Sequence, residues 1–269
     1  MKIVNISVLI MLLCVPAFGQ ETAYELNSIG LILSDMGKYD VAIAAFDRAI
    51  EIDPNHADSW YNKGSALYYQ GKYDEAIMAY DKVVEIDPNH ADAWYNKGHT
   101  LLVVGKYFEA AVAYNKAIEI DPQDGDAWDG KGIALVEQGK YDEAIAAYDE
   151  AIKIDSQDAD AWNNKGVTLY EQGKHDEAIA AYDKAIKIDS QDADAWNNKG
   201  VALSDMGKYD VAIAAFDRAI EIDPEYAVAW YKKAEALRML HRDTESKEAY
   251  AKARELGYSG AMTEMEMTV

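Results

Sequence analysis

Six tryptophans recur at a constant spacing, and this period constrains the fold more than any other feature of the chain. Each lies 34 residues from the next: Trp60, Trp94, Trp128, Trp162, Trp196 and Trp230. A fixed period between about 20 and 50 residues is typical of a solenoid, in which every repeat is a small unit that packs on its neighbours. The sequence therefore predicts a linear array of about seven units rather than a domain with one central core.

The segment 91–124 shows what one unit contains. Large apolar residues at helical spacing, beginning at Trp94, predict a first amphipathic helix, and Gly105 is the residue type favoured just past a helix end. Small and aromatic residues around Tyr114 recur at intervals of three and four, which predicts a second helix with one buried stripe. Pro122 disfavours helix in the residue before it and ends the unit.

The residues at fixed offsets within this unit resemble the signature of the tetratricopeptide repeat (TPR) family. They are Trp94, Gly98, Leu101, Ala110, Tyr114, Ala117 and Pro122. The wording of the repeats is similar to that of TPR arrays from methanogenic archaea and some bacteria. The resemblance implies an all-α fold, a right-handed α-solenoid of about seven helix-turn-helix repeats, with the first helices lining the concave face. We expect the array to span residues 23–257, followed by a tail at 258–269. The repeats begin at Ala23, Ala57, Ala91, Gly125, Ala159, Ala193 and Ala227.

The seventh repeat departs from the pattern of the others. His241 stands where the other repeats have the turn glycine, and Ser246 replaces an alanine of the second helix. The last unit of a solenoid has one neighbour instead of two and needs a modified, more polar surface. We interpret these departures as a terminal cap rather than as a special site.

The N-terminal segment differs in composition from the array. Lys2 precedes an apolar run at 3–15, and Ala17 and Gly19 are small residues that suit a signal-peptidase site. Residues 1–19 are therefore predicted to be a secretory signal, which places the protein outside the cytoplasm. An uncleaved N-terminal anchor that tethers the chain through residues 3–15 is the alternative. A lipoprotein anchor at Cys14, the single cysteine, is disfavoured because Leu13 precedes it where small residues are usual.

The charge of the chain is strongly negative. Its 48 acidic and 26 basic side chains give a formal net charge of −22. Such a surface repels nucleic acids and anionic lipid, whereas it tolerates cationic partners and divalent ions. The simpler interpretation is that acidic helices keep a repeat protein soluble.

Asparagine recurs two residues after the tryptophan in four of the repeats. We call Asn62, Asn96, Asn164 and Asn198 the asparagine row. Some TPR relatives hold the backbone of an extended peptide with asparagines at this position, since a carboxamide both donates and accepts hydrogen bonds. Gly130 interrupts the row. Tyr61, Tyr68 and Tyr95 are candidate aromatic anchors beside it, because tyrosine is enriched at interfaces. The alternative is that the asparagines bridge neighbouring helices within the fold.

No catalytic constellation is present among the motifs, and the sequence indicates no cofactor. The histidines lack metal-ligand spacing, and the aspartates around Asp158 and Asp192 lack the glycine and distal glutamate of a calcium loop, so that helix capping is the expected role. A lysine three residues after each tryptophan predicts ion pairs between repeats. We interpret the chain as a non-catalytic scaffold that binds a peptide or partner protein in its groove, without nucleic acid or metal. The alternative is an acidic extracytoplasmic spacer that binds divalent cations weakly.

Overall fold

The computed structural model describes residues 22–258, which form fourteen α-helices and no strand. The predicted signal at residues 1–19 and residues 259–269 of the predicted tail lie outside this range. No helix within the described range is long and apolar enough to cross a bilayer. The helices are α1 (Ala23–Asp35), α2 (Tyr39–Ile52), α3 (Ala57–Tyr69), α4 (Tyr73–Ile86), α5 (Ala91–Val103), α6 (Tyr107–Ile120), α7 (Gly125–Val136), α8 (Tyr141–Ile154), α9 (Ala159–Glu171), α10 (His175–Ile188), α11 (Ala193–Asp205), α12 (Tyr209–Ile222), α13 (Ala227–Met239) and α14 (Asp243–Glu255).

Each repeat is a pair of helices, an odd-numbered first helix and an even-numbered second helix. The chain divides into two compact units, the first ending at Gly130 and the second beginning at Lys131. Within each unit the two helices of a repeat pack together, the second helix packs on the next repeat, and consecutive first helices also touch. This is the all-α solenoid of repeats that the sequence predicts, and the fold class is confirmed.

A glycine in the left-handed region ends the first helix of six repeats. Gly105 has φ +76°, and its N–H and that of Lys106 donate to the carbonyls of Leu102 and Leu101 at 3.0 and 2.9 Å. These two bonds satisfy carbonyls that the helix end leaves open. In the seventh repeat His241 takes the same position with φ 58°, a conformation that costs a residue with a side chain more than it costs glycine.

Aspartate caps the first helices of the fifth and sixth repeats, as the sequence predicts. Oδ1 of Asp158 accepts from the N–H of Ala161 at 3.0 Å, and Oδ1 of Asp192 accepts from Ala195 at 3.0 Å. Nδ1 of His90 serves the same purpose for α5, accepting from Ala93 at 3.3 Å. Each cap satisfies an N–H group that the start of a helix leaves without an intrahelical partner.

The buried core consists mainly of alanines, with a leucine and one large aromatic ring of the second helix in every repeat. The rings lie on the second helices and are buried, as in Tyr182, which is 1% exposed. In six repeats a glycine of the first helix lies against the ring of the second, and a Cβ at Gly166 would lie 2.6 Å from Cε1 of Tyr182. The pair lets the two helices approach more closely than two full side chains allow.

The periodic tryptophans are half-buried and brace neighbouring repeats. The indole N–H of Trp94 donates to the carbonyl of Pro88 at 3.0 Å, and Nζ of Lys97 lies 5.0 Å from the ring centroid. The same Nζ pairs with Asp81 of the preceding second helix at 2.5 Å. The predicted ion pairs between repeats are confirmed, and equivalent pairs are Lys63–Asp47, Lys165–Asp149, Lys199–Asp183 and Lys233–Asp217.

Candidate functional site

A cavity of about 400 Å³ opens between α3 and α5, the first helices of the second and third repeats. Four of the seven predicted site residues line it, namely Tyr61, Tyr68, Tyr95 and Asn96. We call this the aromatic cavity. The remaining lining residues are Ser65, Tyr69, Tyr80, His99 and Thr100.

Helical spacing brings these side chains to one place. On α3, Tyr61, Ser65 and Tyr68 are separated by four and three residues and share one face. On α5, Tyr95 and His99 are four residues apart and face the same space. Two adjacent first helices therefore contribute one stripe each, and the cavity lies between the stripes.

The aromatic rings of the cavity are close but do not fill it. The ring centroid of His99 is 5.4 Å from that of Tyr68 and 6.4 Å from that of Tyr95. Tyr61 lies 6.0 Å from Tyr80, whose hydroxyl is 3.2 Å from Oγ of Ser65. The small side chains of Ser65 and Thr100 leave the space that the rings surround.

Burial favours the uncharged forms of Tyr61, Tyr95 and His99 in the cavity. Burial raises the pKa of the Tyr61 hydroxyl, and the nearby carboxylate of Asp92 raises it further. Burial also raises the pKa of Tyr95, with additional contributions from the carboxylates of residues 124, 126 and 129. Burial lowers the pKa of His99 below its ordinary value of 6.5, so that the imidazole is neutral at pH 7. The lining thus carries hydroxyls, an amide and a neutral imidazole, but no fixed charge.

Three members of the asparagine row donate a hydrogen bond to the preceding repeat. Nδ2 of Asn96 donates to the hydroxyl of Tyr61 at 2.7 Å. Nδ2 of Asn62 donates to Asn27 at 2.9 Å, and Nδ2 of Asn198 donates to Asn163 at 3.2 Å. The acceptor is 35 residues earlier in each case.

Each of these three amides has more hydrogen-bonding groups than the one that its bond to the preceding repeat uses. A carboxamide has two N–H donors and one carbonyl acceptor, and one bond to the preceding repeat uses one of these. All four asparagines, including Asn164 on α9, are half-buried. Within the described residues only Asn96 of the row lines the aromatic cavity; Asn62 lies on α3, and the other two lie in the second unit. Peptide binding by the row stays a prediction.

The interruption of the row at Gly130 has a packing explanation. A Cβ at this position would lie 2.5 Å from Cζ and 2.7 Å from the hydroxyl oxygen of Tyr114. Contacts between carbon atoms are ordinarily no closer than about 3.5 Å, so the ring leaves no room for a side chain. Packing against Tyr114 in the first unit therefore explains the glycine at this position.

Sequence reasoning missed His99 as a cavity residue. From the sequence, the histidines are considered only as metal or catalytic ligands, and His99 has no second ligand or nucleophile at a suitable spacing. Its position three residues after Asn96, on the same helical face, was the signal that could have placed it beside the tyrosines.

A smaller cavity of about 220 Å³ lies in the second unit and has a different character. Its lining includes Lys232 and Glu235, which form an ion pair at 2.8 Å, together with Asp205 and Arg238. None of the predicted site residues line it. Across residues 22–258, no three histidine, cysteine, aspartate or glutamate side chains are grouped so that they could hold one metal ion.

Solved structures with this arrangement of helices are TPR proteins. The crystal structure of YrrB, described as a TPR protein with an unusual peptide-binding site, is 28% identical, with a TM-score of 0.59, and the match covers 70% of this chain and 97% of YrrB. The crystal structure of MamA protein is 29% identical, with a TM-score of 0.58 over 64% of this chain and 93% of MamA. A tetratricopeptide repeat protein from Parabacteroides merdae shares the fold at 18% identity, with a TM-score of 0.70 over 88% of this chain and 94% of that protein.

The family assignment rests on a match over most of the chain. Residues 34–269 match the family described as the C-terminal domain of cilia and flagella-associated protein 70, a TPR family. The match includes six complete helical pairs of the array and, of the first pair, all of α2 but only the last two residues of α1. The chain therefore belongs to the tetratricopeptide-repeat proteins, in the family of that C-terminal domain.

Proposed function

We propose that this protein is a non-catalytic scaffold that binds an extended segment of a partner protein along its first helices. TPR proteins bind protein or peptide partners, and the fold is that of an interaction scaffold. The observation that carries the proposal is the aromatic cavity, where Asn96 and three tyrosines from two repeats line one space. The remaining residues of the asparagine row, Asn62, Asn164 and Asn198, are proposed to extend the contact within each unit.

The geometry of stacked helices matches the geometry of an extended chain. Neighbouring helices lie about 8–10 Å apart, and an extended peptide advances about 3.3 Å per residue. One asparagine thus meets about every third peptide group of the segment. Because the carboxamide pairs with backbone groups, this contact accepts many sequences, while tyrosine faces select among side chains.

The proposed site of action is outside the cytoplasm. The support is the sequence of the first 19 residues, with Lys2, the apolar run at 3–15 and the small residues Ala17 and Gly19. Mass spectrometry of the protein from its source cells tests this. A mature chain that starts at Gln20 supports a cleaved signal, and an intact N-terminus on cytoplasmic protein contradicts it.

The binding proposal is tested with peptides selected from a random library against the full array. Affinity is then measured by calorimetry for the wild type and for a variant with alanine at Asn62, Asn96, Asn164 and Asn198. Each lost hydrogen bond costs about 1 kcal/mol, so the two asparagines of one unit together predict a loss of about 2 kcal/mol, which weakens the affinity by about thirtyfold. The same variant loses bonds between repeats, so circular dichroism must show that its helicity is retained.

Alanine at Asn55 and Asn89 is the matched control. Both are asparagines of the turns between repeats, outside the cavity lining. The control should bind with wild-type affinity. Equal affinity of the four-alanine variant and the control contradicts the proposal. Saturable calcium binding at the aspartate-rich turns, without peptide binding, would favour the acidic spacer instead.

A further inference from the structure

We propose that the aromatic cavity receives a cationic side chain, the ammonium of lysine or the guanidinium of arginine, from the bound segment. This inference rests on the proposed function and names the chemistry that the cavity selects. A small quaternary ammonium ion also carries a positive charge that aromatic ring faces attract, and it serves as the probe for this site.

The first support is the arrangement of π faces. The cavity is lined by five tyrosines and the imidazole of His99. Tyr68 packs edge-on to Tyr69 at 5.7 Å, and His99 lies between Tyr68 and Tyr95. A cation within about 6 Å of such ring faces is attracted by their quadrupoles, and the attraction grows when the site is partly desolvated. Tyr61, Tyr68, Tyr95 and His99 are half-buried and provide that environment, whereas Tyr69 is 68% exposed and Tyr80 is buried.

The second support is the charge around the cavity. Its lining has no lysine, arginine, aspartate or glutamate. Carboxylates outside the lining act electrostatically on its tyrosines: Asp92 raises the pKa of Tyr61, and Asp126 raises that of Tyr95. With a net charge of −22 on the whole chain, the surrounding potential favours a cation and disfavours a carboxylate or phosphate ligand.

The third support is that the cluster departs from the repeat. The equivalent positions of the fifth and sixth repeats keep Tyr170 for Tyr68, but have Asn197 for Tyr95 and Val201 for His99. The hydroxyl of Tyr170 donates to Asp205 at 2.5 Å. By contrast, the hydroxyls of Tyr68 and Tyr95 make no hydrogen bond to another side chain within residues 22–258. Packing of first helices therefore does not require this set of rings.

The test compares choline with its neutral isostere 3,3-dimethylbutan-1-ol on the full chain. Binding is followed through the imidazole signals of His99 in proton NMR, with those of His56 and His175 as internal references. We expect choline to shift the His99 signals saturably and to bind about fivefold to thirtyfold more tightly than the isostere, the difference that cation–π attraction supplies. Equal binding of the two overturns the inference, because it indicates an apolar pocket.

Variants separate the cavity from the acidic surface as a whole. Leucine at Tyr68 and Tyr95 keeps apolar volume but removes two π faces, and it should abolish the choline shift. Tyr170→Leu is the matched control at the same repeat position and should leave the shift unchanged. A choline shift that survives the double substitution overturns the inference.

Peptide binding distinguishes failure of this inference from failure of the proposed function. In a selected peptide, replacing its lysines or arginines by norleucine should weaken binding by about fivefold to thirtyfold. If norleucine binds equally well, the cation inference fails while the scaffold stands. If choline binds but no peptide does, the proposed function fails while the cation cavity stands.

Discussion

In six repeats a glycine of the first helix lies against an aromatic ring of the second, and substitution of the glycine tests this packing. At Gly166 on α9, a Cβ would lie 2.6 Å from Cε1 and 2.7 Å from Cδ1 of Tyr182 on α10. Ordinary carbon contacts are about 3.5–4.0 Å, so alanine here overlaps the ring by about 1 Å. Tyr182 is 1% exposed and cannot move into solvent.

The expected cost follows from two opposing terms. Adding a methyl group to a packed core costs about 1–3 kcal/mol. Replacing glycine by alanine within a helix returns about 1 kcal/mol through backbone propensity. The two terms differ by about 0–2 kcal/mol, and because the overlap with the ring is large, Gly166→Ala is expected to lower the free energy of unfolding by about 1–2 kcal/mol.

Gly98→Ala is the matched comparison. There the nearest ring atoms of Tyr114 are 3.1 Å from the added Cβ, because this ring leans towards Gly130. The smaller overlap predicts a change close to zero, about 0–1 kcal/mol.

Urea unfolding followed by circular dichroism measures both variants. Native-state hydrogen exchange in the affected helices serves as a local measure, because repeat arrays can unfold in parts. Adding Tyr182→Leu to Gly166→Ala should recover part of the loss. A Gly166→Ala protein that is more stable than the wild type, or a Gly98→Ala protein that loses more, refutes the reasoning.

Three further predictions concern the braces, the terminal cap and the cavity. Lys97→Met removes the ion pair with Asp81 but keeps the stem over Trp94, so it should cost about 0.5–1 kcal/mol at low salt and less in about 1 M salt, measured by urea unfolding. His241→Gly relieves the φ of 58° and should stabilise the chain by about 0.5–1 kcal/mol, seen as a higher Tm in calorimetry; an unchanged or lower Tm contradicts it. His99 should titrate below 6.5 in NMR, because burial lowers its pKa. Its contribution to stability is complete above about pH 6.5 and declines as the pH falls, since the unfolded state binds the proton more readily. A His99 pKa at or above 6.5 is the contrary result.

Most of the fold can be predicted from the sequence because residues that end helices and link neighbouring repeats recur with the same period. Gly105 was assigned to a helix end from its residue type, and its φ of +76° agrees. The row of lysines was assigned to ion pairs between repeats, as in Lys97 with Asp81. Both inferences needed only spacing and side-chain type.

Features that depend on the placement of rings in three dimensions were beyond the sequence. The burial of Tyr114 and its equivalents is confirmed as the stripe on the second helices predicts, whereas the half-burial of the tryptophans does not follow from their spacing. Gly130 read as a gap in a binding surface, whereas the lean of Tyr114 explains it. The convergence of the three candidate tyrosines with Asn96 followed from their offsets, but the inclusion of His99 required the packing of α3 against α5.

Photo-crosslinking tests most directly whether the partner segment binds at the aromatic cavity. A selected peptide carrying a photoreactive residue is irradiated with the full chain, and the attachment sites are mapped by mass spectrometry. We expect the peptide to attach to α3 and α5, around Tyr68 and His99. In the protein with leucine at Tyr68 and Tyr95, this attachment should be lost. Attachment confined to the second helices, or unchanged in that variant, would contradict it.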